Sequence, residues 1–269
     1  MSVAGRASIY MRVGRSRLRA NAQYRLSFAL QVVGAGLLSF LDFVGILVIF
    51  TRIDALAGWN IHEVAFLYGT SYVVFKAADM CFGNLDKLPM FIRMGSFDQI
   101  LTRPLGTLGQ VIASDVDLRH IGGITQGAVV LAYALTGVRI HWTFGRAVVF
   151  ASMLASAFVI FGALWIITNS IAFWTTDARE MANAVTYGGN FFTQHPLNIF
   201  AKWMQRIFGF VLVLGFVNYF PSLYLLDHPD PIGAPTALRF ISPIAAIAAV
   251  LVAGVAWRAA VRHYRSTGS

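Results

Sequence analysis

Charged residues are scarce in this chain of 269 residues, and that scarcity indicates its class. They make up only 12% of the sequence, whereas hydrophobic residues make up 57%. A soluble domain carries about 25% charged residues. The single cysteine, Cys81, excludes an intrachain disulfide and a cysteine-based metal cluster within these residues. The composition predicts an all-α polytopic membrane protein, because helices satisfy their own backbone hydrogen bonds in lipid.

The sequence also lacks the familiar motifs of nucleotide-binding proteins and hydrolases. It contains no glycine-rich phosphate loop ending in Gly-Lys-Ser/Thr, no His-Glu-x-x-His motif and no Gly-x-Ser-x-Gly elbow. The six histidines are dispersed without ligand-like spacing, so we expect no metal site. The net charge of +9 does not lie on a soluble module, so it does not indicate nucleic-acid binding. We therefore expect a chain with no catalytic residues and no cofactor of its own.

Six stretches are apolar enough, and nearly long enough, to cross a bilayer. A spanning helix needs about 20 mostly apolar residues. The predicted spans are Ser27–Phe50, Ile61–Met80, Ile121–Val138, Arg146–Ala172, Trp203–Phe220 and Phe240–Trp257. They predict one membrane domain over residues 27–258, between a basic segment at residues 1–26 and a basic tail at residues 259–269.

Lysine and arginine are distributed unevenly between the two sides of this arrangement. Six spans put both termini on one side, and 17 of the 21 basic residues fall on that side. Because short cytoplasmic loops are enriched in basic residues, both termini are predicted to be cytoplasmic. Residues 1–26 contain six arginines, no acidic residue and apolar residues at near-helical spacing. This pattern predicts an amphipathic helix at the inner membrane surface; a disordered basic leader is the alternative.

The longest predicted cytoplasmic loop, about residues 81–119, has the features of two short helices. Gly95 interrupts the first helix, Ser96 and Gln99 have the spacing of a capping box that opens a second, and Pro104 ends it. The residues that share one face of the first helix are Leu85, Leu88 and Ile92. Two interpretations remain open at this point: a compact docking surface, or a solvated loop that packs on its own bundle.

Three polar residues inside the predicted spans call for an explanation, because charge and polarity are costly in lipid. Asp42 lies about 12 Å from the outer end of the first span, at about 1.5 Å per residue. It belongs either to a substrate pathway or proton relay, or to a structural contact with a neighbouring helix or wet cleft. We favour the structural interpretation. Asn169 and Asn218 are expected to form interhelical hydrogen bonds.

Two stretches carry distinctive combinations of residues. The first includes Gly83, Leu88-Pro89, Ile92-Arg93-Met94-Gly95, Phe97-Asp98 and Leu101-Thr102-Arg103-Pro104-Leu105; the second is Phe216-Val217-Asn218-Tyr219-Phe220-Pro221-Ser222 with Leu225-Leu226. Together with the number of spans, they resemble the small permease subunits of bacterial type-two ABC exporters. The second stretch resembles the end of that family's fifth span. Val213 stands where many relatives have proline, so no proline is present to bend this span.

The resemblance implies partners, because such permeases are made apart from their ATPase. It implies two cytoplasmic ABC ATPase subunits, which carry the ATP and Mg, and a second permease that is identical or homologous. It also implies a bacterial cytoplasmic membrane, and an ATPase docked on the loop at residues 84–106. The residues implied for this coupling are Lys87, Leu88, Pro89, Ile92, Arg93, Asp98, Leu101, Arg103 and Pro104.

The predicted function is the membrane half of an ATP-driven exporter, with no enzyme activity in this chain. One alternative is an intramembrane enzyme acting on lipid, which would need acid, base or nucleophile groups at one depth; Asp42, Asp79 and the histidines share no spacing. The other is an ion-coupled carrier, which would show broken helices and midplane charges in matching repeats. Neither pattern is evident in the sequence.

Overall fold

The computed structural model describes residues 25–175 and 178–264, and every element within those residues is helical. This confirms the predicted all-α class. The predicted interfacial helix at residues 1–26 lies almost entirely outside the described residues, as do residues 265–269 of the predicted basic tail. Residues 259–263 of that tail continue the last long helix.

Eleven helices form the bundle over the described residues. They are α1 Arg25–Phe50, α2 Ile61–Phe82, α3 Leu88–Arg93, α4 Ser96–Leu101, α5 Thr107–Ala113, α6 Ile121–Gly137, α7 Phe144–Ser170, α8 Ala178–Thr193, α9 Lys202–Val211, α10 Leu214–Leu225 and α11 Ser242–His263. Short 3₁₀ turns connect several of them.

Three helices are individually long and apolar enough to cross a membrane: α1, α7 with its continuation to Phe173, and α11. The other long helices are shorter or more polar. α2 has 22 residues and carries Lys76 and Asp79 near its end, and α6 and α8 have 17 and 16 residues. Length and hydropathy therefore identify some of the helices of the bundle, and the contacts between helices locate the others.

The bundle has two ends, which we name by the loops that they carry. The loop end carries residues 83–106, and the far end carries residues 51–60. Six helices run between these ends within the described residues: α1, α2, α6, α7, α8 and α11. At the loop end α6 begins against α1, where a Cβ on Gly122 would meet the carbonyl oxygen of Val32 at 2.0 Å. Only glycine permits this approach of the two backbones.

Hydrogen bonds fix the direction of α8. Its Tyr187 hydroxyl lies 3.5 Å from the carboxylate of Asp79, near the loop end of α2. Beyond α8, the side-chain amide of Asn198 donates to the carbonyl of Ala57 at the far end, at 2.9 Å. α8 therefore makes the fifth crossing of the bundle.

The predicted fifth span, Trp203–Phe220, is wrong. α9 and α10 are bent by 71° relative to each other at the break between them. Asn198, before the pair, contacts the far end, and Asp227, after it, pairs with Arg146 at the start of α7. The two helices therefore enter and leave at the far end as a hairpin. α8 was not predicted from the sequence because its polar residues make it less apolar than a spanning helix. It nevertheless crosses the bundle and packs against its neighbours through one face.

The break in this hairpin forms without proline. Its first helix is π-helical over Gln205–Val211, and Val213 then adopts the left-handed region with φ +53°. A β-branched residue rarely adopts that region, because its Cβ substituents crowd the backbone. The hairpin therefore bends at Val213, a valine in a strained conformation, and no proline stands at the break.

Aromatic residues of α2 and α7 form the centre of the core. Phe75 and Trp165 are fully buried, with ring centroids 5.0 Å apart, and Phe161 packs edge-on to Phe75 at 5.2 Å. Tyr187 of α8 packs on both Phe75 and Trp165. This cluster holds α2, α7 and α8 together just inside the loop end.

Candidate docking loop and adjoining cavity

Residues 84–106 fold into the two short helices, α3 and α4, that the sequence predicts. Gly95 joins them in the left-handed region with φ +67°, which glycine adopts without strain. The predicted capping box at Ser96 is wrong. Gly95 is the N-cap, and the Ser96 hydroxyl donates instead to the carbonyl of Phe91 at 3.2 Å. The tight turn at Gly95 places Ser96 already within the first helical turn.

The predicted docking residues divide into two groups. Leu88, Pro89 and Ile92 are buried and hold the loop on the bundle, and Asp98 is half-buried. The residues on the exposed surface are Lys87, Arg93, Leu101, Arg103 and Pro104. Burial of the first group is consistent with a loop that packs on its own bundle, while the second group leaves a surface for a partner.

An open groove of about 500 Å³ lies between α3 and the start of α8. Met90 and Met94 line it with 48% and 70% of their surfaces exposed, beside the basic residues Arg93 and Arg179. The two methionines were not predicted as part of the site. The available signal was their spacing of four residues opposite the buried face of α3. Flexible methionines suit adaptable protein-binding surfaces.

Two polar contacts fasten the entry of this loop to the long helices. The Asn169 amide of α7 donates to the carboxylate of Asp86 at 3.0 Å. The Lys87 ammonium forms an ion pair with Asp115 at 2.7 Å. Burial raises the pKa of Asp86 above its usual range, so the Asn169 hydrogen bond stabilises a carboxylate that is costly to ionise. The loop entry is therefore bonded directly to α7.

Asp79 forms a second junction at the loop end, where only 3% of its side chain is exposed. Its carboxylate lies 3.5 Å from the Lys76 ammonium, 3.4 Å from the His120 ring and 3.5 Å from the Tyr187 hydroxyl. Burial, reinforced by the nearby Lys76 charge, lowers the pKa of His120 to about 4, so this imidazole is neutral at pH 7. Asp79 thereby joins α2, the start of α6 and α8.

A cavity of about 470 Å³ opens between α1, α2 and α8. Asp42 of α1 and Lys76 of α2 both line it, although the sequence separates them widely. Asp42 is exposed in the isolated chain. The other lining residues include Tyr72, Phe75, Tyr187, Asn190, Phe191 and Gln194. The cavity thus combines aromatic rings, amides and one carboxylate with one ammonium group.

Asn218 ties the hairpin to the crossing helices. Its side-chain amide donates to the carbonyl of Leu67 in α2 at 2.8 Å and to that of Thr193 in α8 at 2.9 Å. Asn190 and Thr193 of α8 contact Ser71 of α2, the latter at 2.5 Å. These polar contacts hold α8 and the hairpin against α2 on the side away from the loop end.

Comparison with known proteins yields one match. Residues 37–268, which are more than half of the chain, match the family described as ABC-2 family transporter protein. The match includes the docking loop, the cavity and the hairpin. No curated protein and no solved structure matches the chain.

Proposed function

The chain belongs to the ABC-2 family of transporter proteins and is a multi-pass membrane permease of an ABC transporter; from this premise we propose that it is the permease of an ATP-driven exporter. In this proposal the chain forms half of a translocation pathway and carries no catalytic residues. ATP and Mg are bound by two separate ABC ATPase subunits. The ATPases dock on residues 84–106.

The proposed topology has six membrane crossings, made by α1, α2, α6, α7, α8 and α11, with the loop end in the cytoplasm of a bacterial cell. Reassigning the fifth crossing to α8 moves Lys202 and Arg206 to the opposite side. Within the described residues, nine of the 15 lysines and arginines lie toward the loop end and six toward the far end. This asymmetry supports a cytoplasmic loop end, because basic residues are retained on that side.

The observation that carries the coupling proposal is the hydrogen bond between Asp86 and Asn169. Asp86 lies two residues before α3, and Met90 of α3 lines the groove together with Met94. An ATPase seated in that groove would move α3 on closing. The displacement would reach α7 through Asn169 and α8 through the Asp79–Tyr187 contact. ATP binding would then favour one arrangement of the crossing helices over another.

The exposed carboxylate of Asp42 supports a second permease, identical or homologous. A charge at this depth cannot face lipid without a large cost. The cavity that Asp42 lines opens beside α1. Only 17% of the apolar 18-residue stretch of α1 is buried within the chain. A second permease packed there would remove Asp42 from lipid and enclose the cavity. The aromatic and amide lining fits an amphiphilic cargo.

The proposal is tested by co-expressing the full chain with separately encoded ABC ATPase subunits of the same organism. We expect the two to co-purify, and transport into vesicles to require ATP. Replacing Met90 and Met94 together by aspartate should abolish co-purification, because it puts charge on the apolar part of the groove. Arg258→Asp is the matched control, since Arg258 is exposed on α11 at the loop end, away from the groove.

Two results would overturn the proposal. The first is transport by the wild-type chain in vesicles that contain no nucleotide-binding subunit. The second is co-purification of the ATPase with the methionine variant at the wild-type ratio, which would place the docking surface elsewhere.

A further inference from the structure

The far end of the bundle has a basic cavity that neither the docking loop nor the cavity lined by Asp42 uses. It has a volume of about 430 Å³ and lies between α9 and the segment after α10. Lys202 and Arg206, one helical turn apart on α9, line it with Asn198, Gln205, Pro231 and Ile232. Among the residues that the structure describes, no acidic side chain lines it.

The nearby carboxylates of Asp227 and Asp230 form no ion pair with Lys202 or Arg206 of this cavity. Asp230 turns its carboxylate toward its own loop, where the backbone N–H groups of Ile232 and Ala234 donate to it at 2.9 and 2.8 Å. Asp227 is paired with Arg146. Within the part of the chain that the structure describes, neither Lys202 nor Arg206 lies within 4.0 Å of a carboxylate oxygen.

The neighbouring flank of the same helix is apolar and exposed. Trp203 and Val211 expose 59% and 74% of their surfaces, and Ile207 exposes 44%. Tryptophan favours the boundary between lipid tails and head groups, and long basic side chains extend from such a boundary toward phosphates. α9 therefore presents apolar residues to lipid tails beside two cations at head-group level.

We propose that this cavity binds the phosphate of an anionic phospholipid in the outer-facing leaflet. The Lys202 ammonium and the Arg206 guanidinium would hold the phosphate, while Trp203 and Ile207 contact the acyl chains. Arginine pairs well with phosphate because its N–H groups form a planar fork. The inference rests on the proposed topology, which puts the hairpin on the outer side, and bound lipid would hold the hairpin in place.

The test measures lipid binding by the purified full chain in nanodiscs, using native mass spectrometry with phosphatidylglycerol against phosphatidylcholine. We expect the wild type to retain phosphatidylglycerol. The double variant Lys202→Gln with Arg206→Gln should bind it on the order of 25-fold more weakly, since each basic residue near an anionic surface contributes about fivefold. The exchange Lys202→Arg with Arg206→Lys preserves both charges and should preserve binding.

The matched control is Arg52→Gln with Arg139→Gln, which removes two exposed cations from the same end but outside the cavity. Equal loss of lipid in the control and the double variant would overturn the proposal, because only general charge would then matter. Displacement of the lipid by glycerophosphate or inorganic phosphate would overturn it in favour of a soluble anion. The binding measurement needs no ATPase. If the permease binds no phosphatidylglycerol but still shows ATP-driven transport, this inference is refuted and the proposed function stands.

Discussion

The side-chain amide of Asn169 in α7 donates a hydrogen bond of 3.0 Å to the carboxylate of Asp86, 83 residues earlier in the chain. This contact joins the loop that we propose as the ATPase docking site to a helix that crosses the bundle. Asn169 is fully buried, whereas Asp86 is half-buried, so the bond joins the interior of the bundle to its surface.

Replacing Asn169 by alanine tests whether the contact transmits motion. A hydrogen bond to a charged group contributes about 1.5–3 kcal/mol, so its loss should change the coupling equilibrium by about tenfold or more. We expect the complex to hydrolyse ATP while transport falls by about that factor. Ser170→Ala is the control, because the Ser170 hydroxyl bonds only to Ile166 of its own helix. Transport that stays tightly linked to hydrolysis in the Asn169 variant would contradict this prediction.

The buried carboxylate of Asp86 should make stability depend on pH. Burial raises its pKa, so the folded chain binds this proton more tightly than the unfolded chain does. Stability is then greatest at low pH and is lost as pH rises through the raised pKa. Compared with Asp86→Asn, the wild type should lose thermal stability as the pH rises above the ordinary carboxyl pKa of about 4. Parallel denaturation profiles of the two proteins would rule out the effect.

An ion pair at the far end should hold the hairpin to α7. Arg146 contacts both carboxylate oxygens of Asp227, at 2.6 and 2.7 Å, and also donates to the carbonyl of Leu225. Asp227 is 57% exposed, so solvent weakens the pair. A double-mutant cycle with Arg146→Gln and Asp227→Asn should give a coupling energy of about 1 kcal/mol, read from thermal denaturation. Arg139→Gln, at the same end, should lower the thermal stability less than Arg146→Gln does. A coupling energy of zero would show that the ion pair does not hold the hairpin to α7.

Close packing of α1 against α6 makes Gly122 irreplaceable. A Cβ at this position would lie 2.0 Å from the carbonyl oxygen of Val32, so Gly122→Ala forces the two helices apart. We expect a loss of about 1–3 kcal/mol, the usual cost of overpacking. Gly34→Ala on α1 is the matched control, because nothing lies within 4 Å of its added Cβ, and it should be neutral or stabilising. Similar thermal stabilities of the two variants would contradict this packing.

The left-handed backbone of Val213 predicts an unusual response to glycine. A side chain in this conformation costs about 1–2 kcal/mol, so Val213→Gly should raise or preserve the denaturation temperature. Leu212 has an ordinary φ of −84°, and Leu212→Gly should lower that temperature. If both glycine variants destabilise equally, strain at Val213 does not contribute to the bend of the hairpin.

Much of the fold could be predicted from apolar runs. The runs at Ser27–Phe50, Ile61–Met80, Ile121–Val138 and Arg146–Ala172 agree with α1, α2, α6 and α7 to within a few residues, and Gly95 marked the division of the docking loop. α8 was missed because its polar residues make it less apolar than a spanning helix. The apolar segment at Trp203–Phe220 misled because the hairpin is as apolar as a spanning helix.

The sequence by itself determined the class of the protein, four of its long helices and the two short helices of residues 84–106, because these depend on local composition and spacing. Only the tertiary structure decided which apolar segment crosses the bundle, which carboxylate meets Asn169, and that Asp42 and Lys76 share a cavity. Those relationships depend on helices distant in sequence packing side by side. Hydropathy gives a helix its length and its environment, but only contacts such as Asn198 with Ala57 give it a direction and a neighbour.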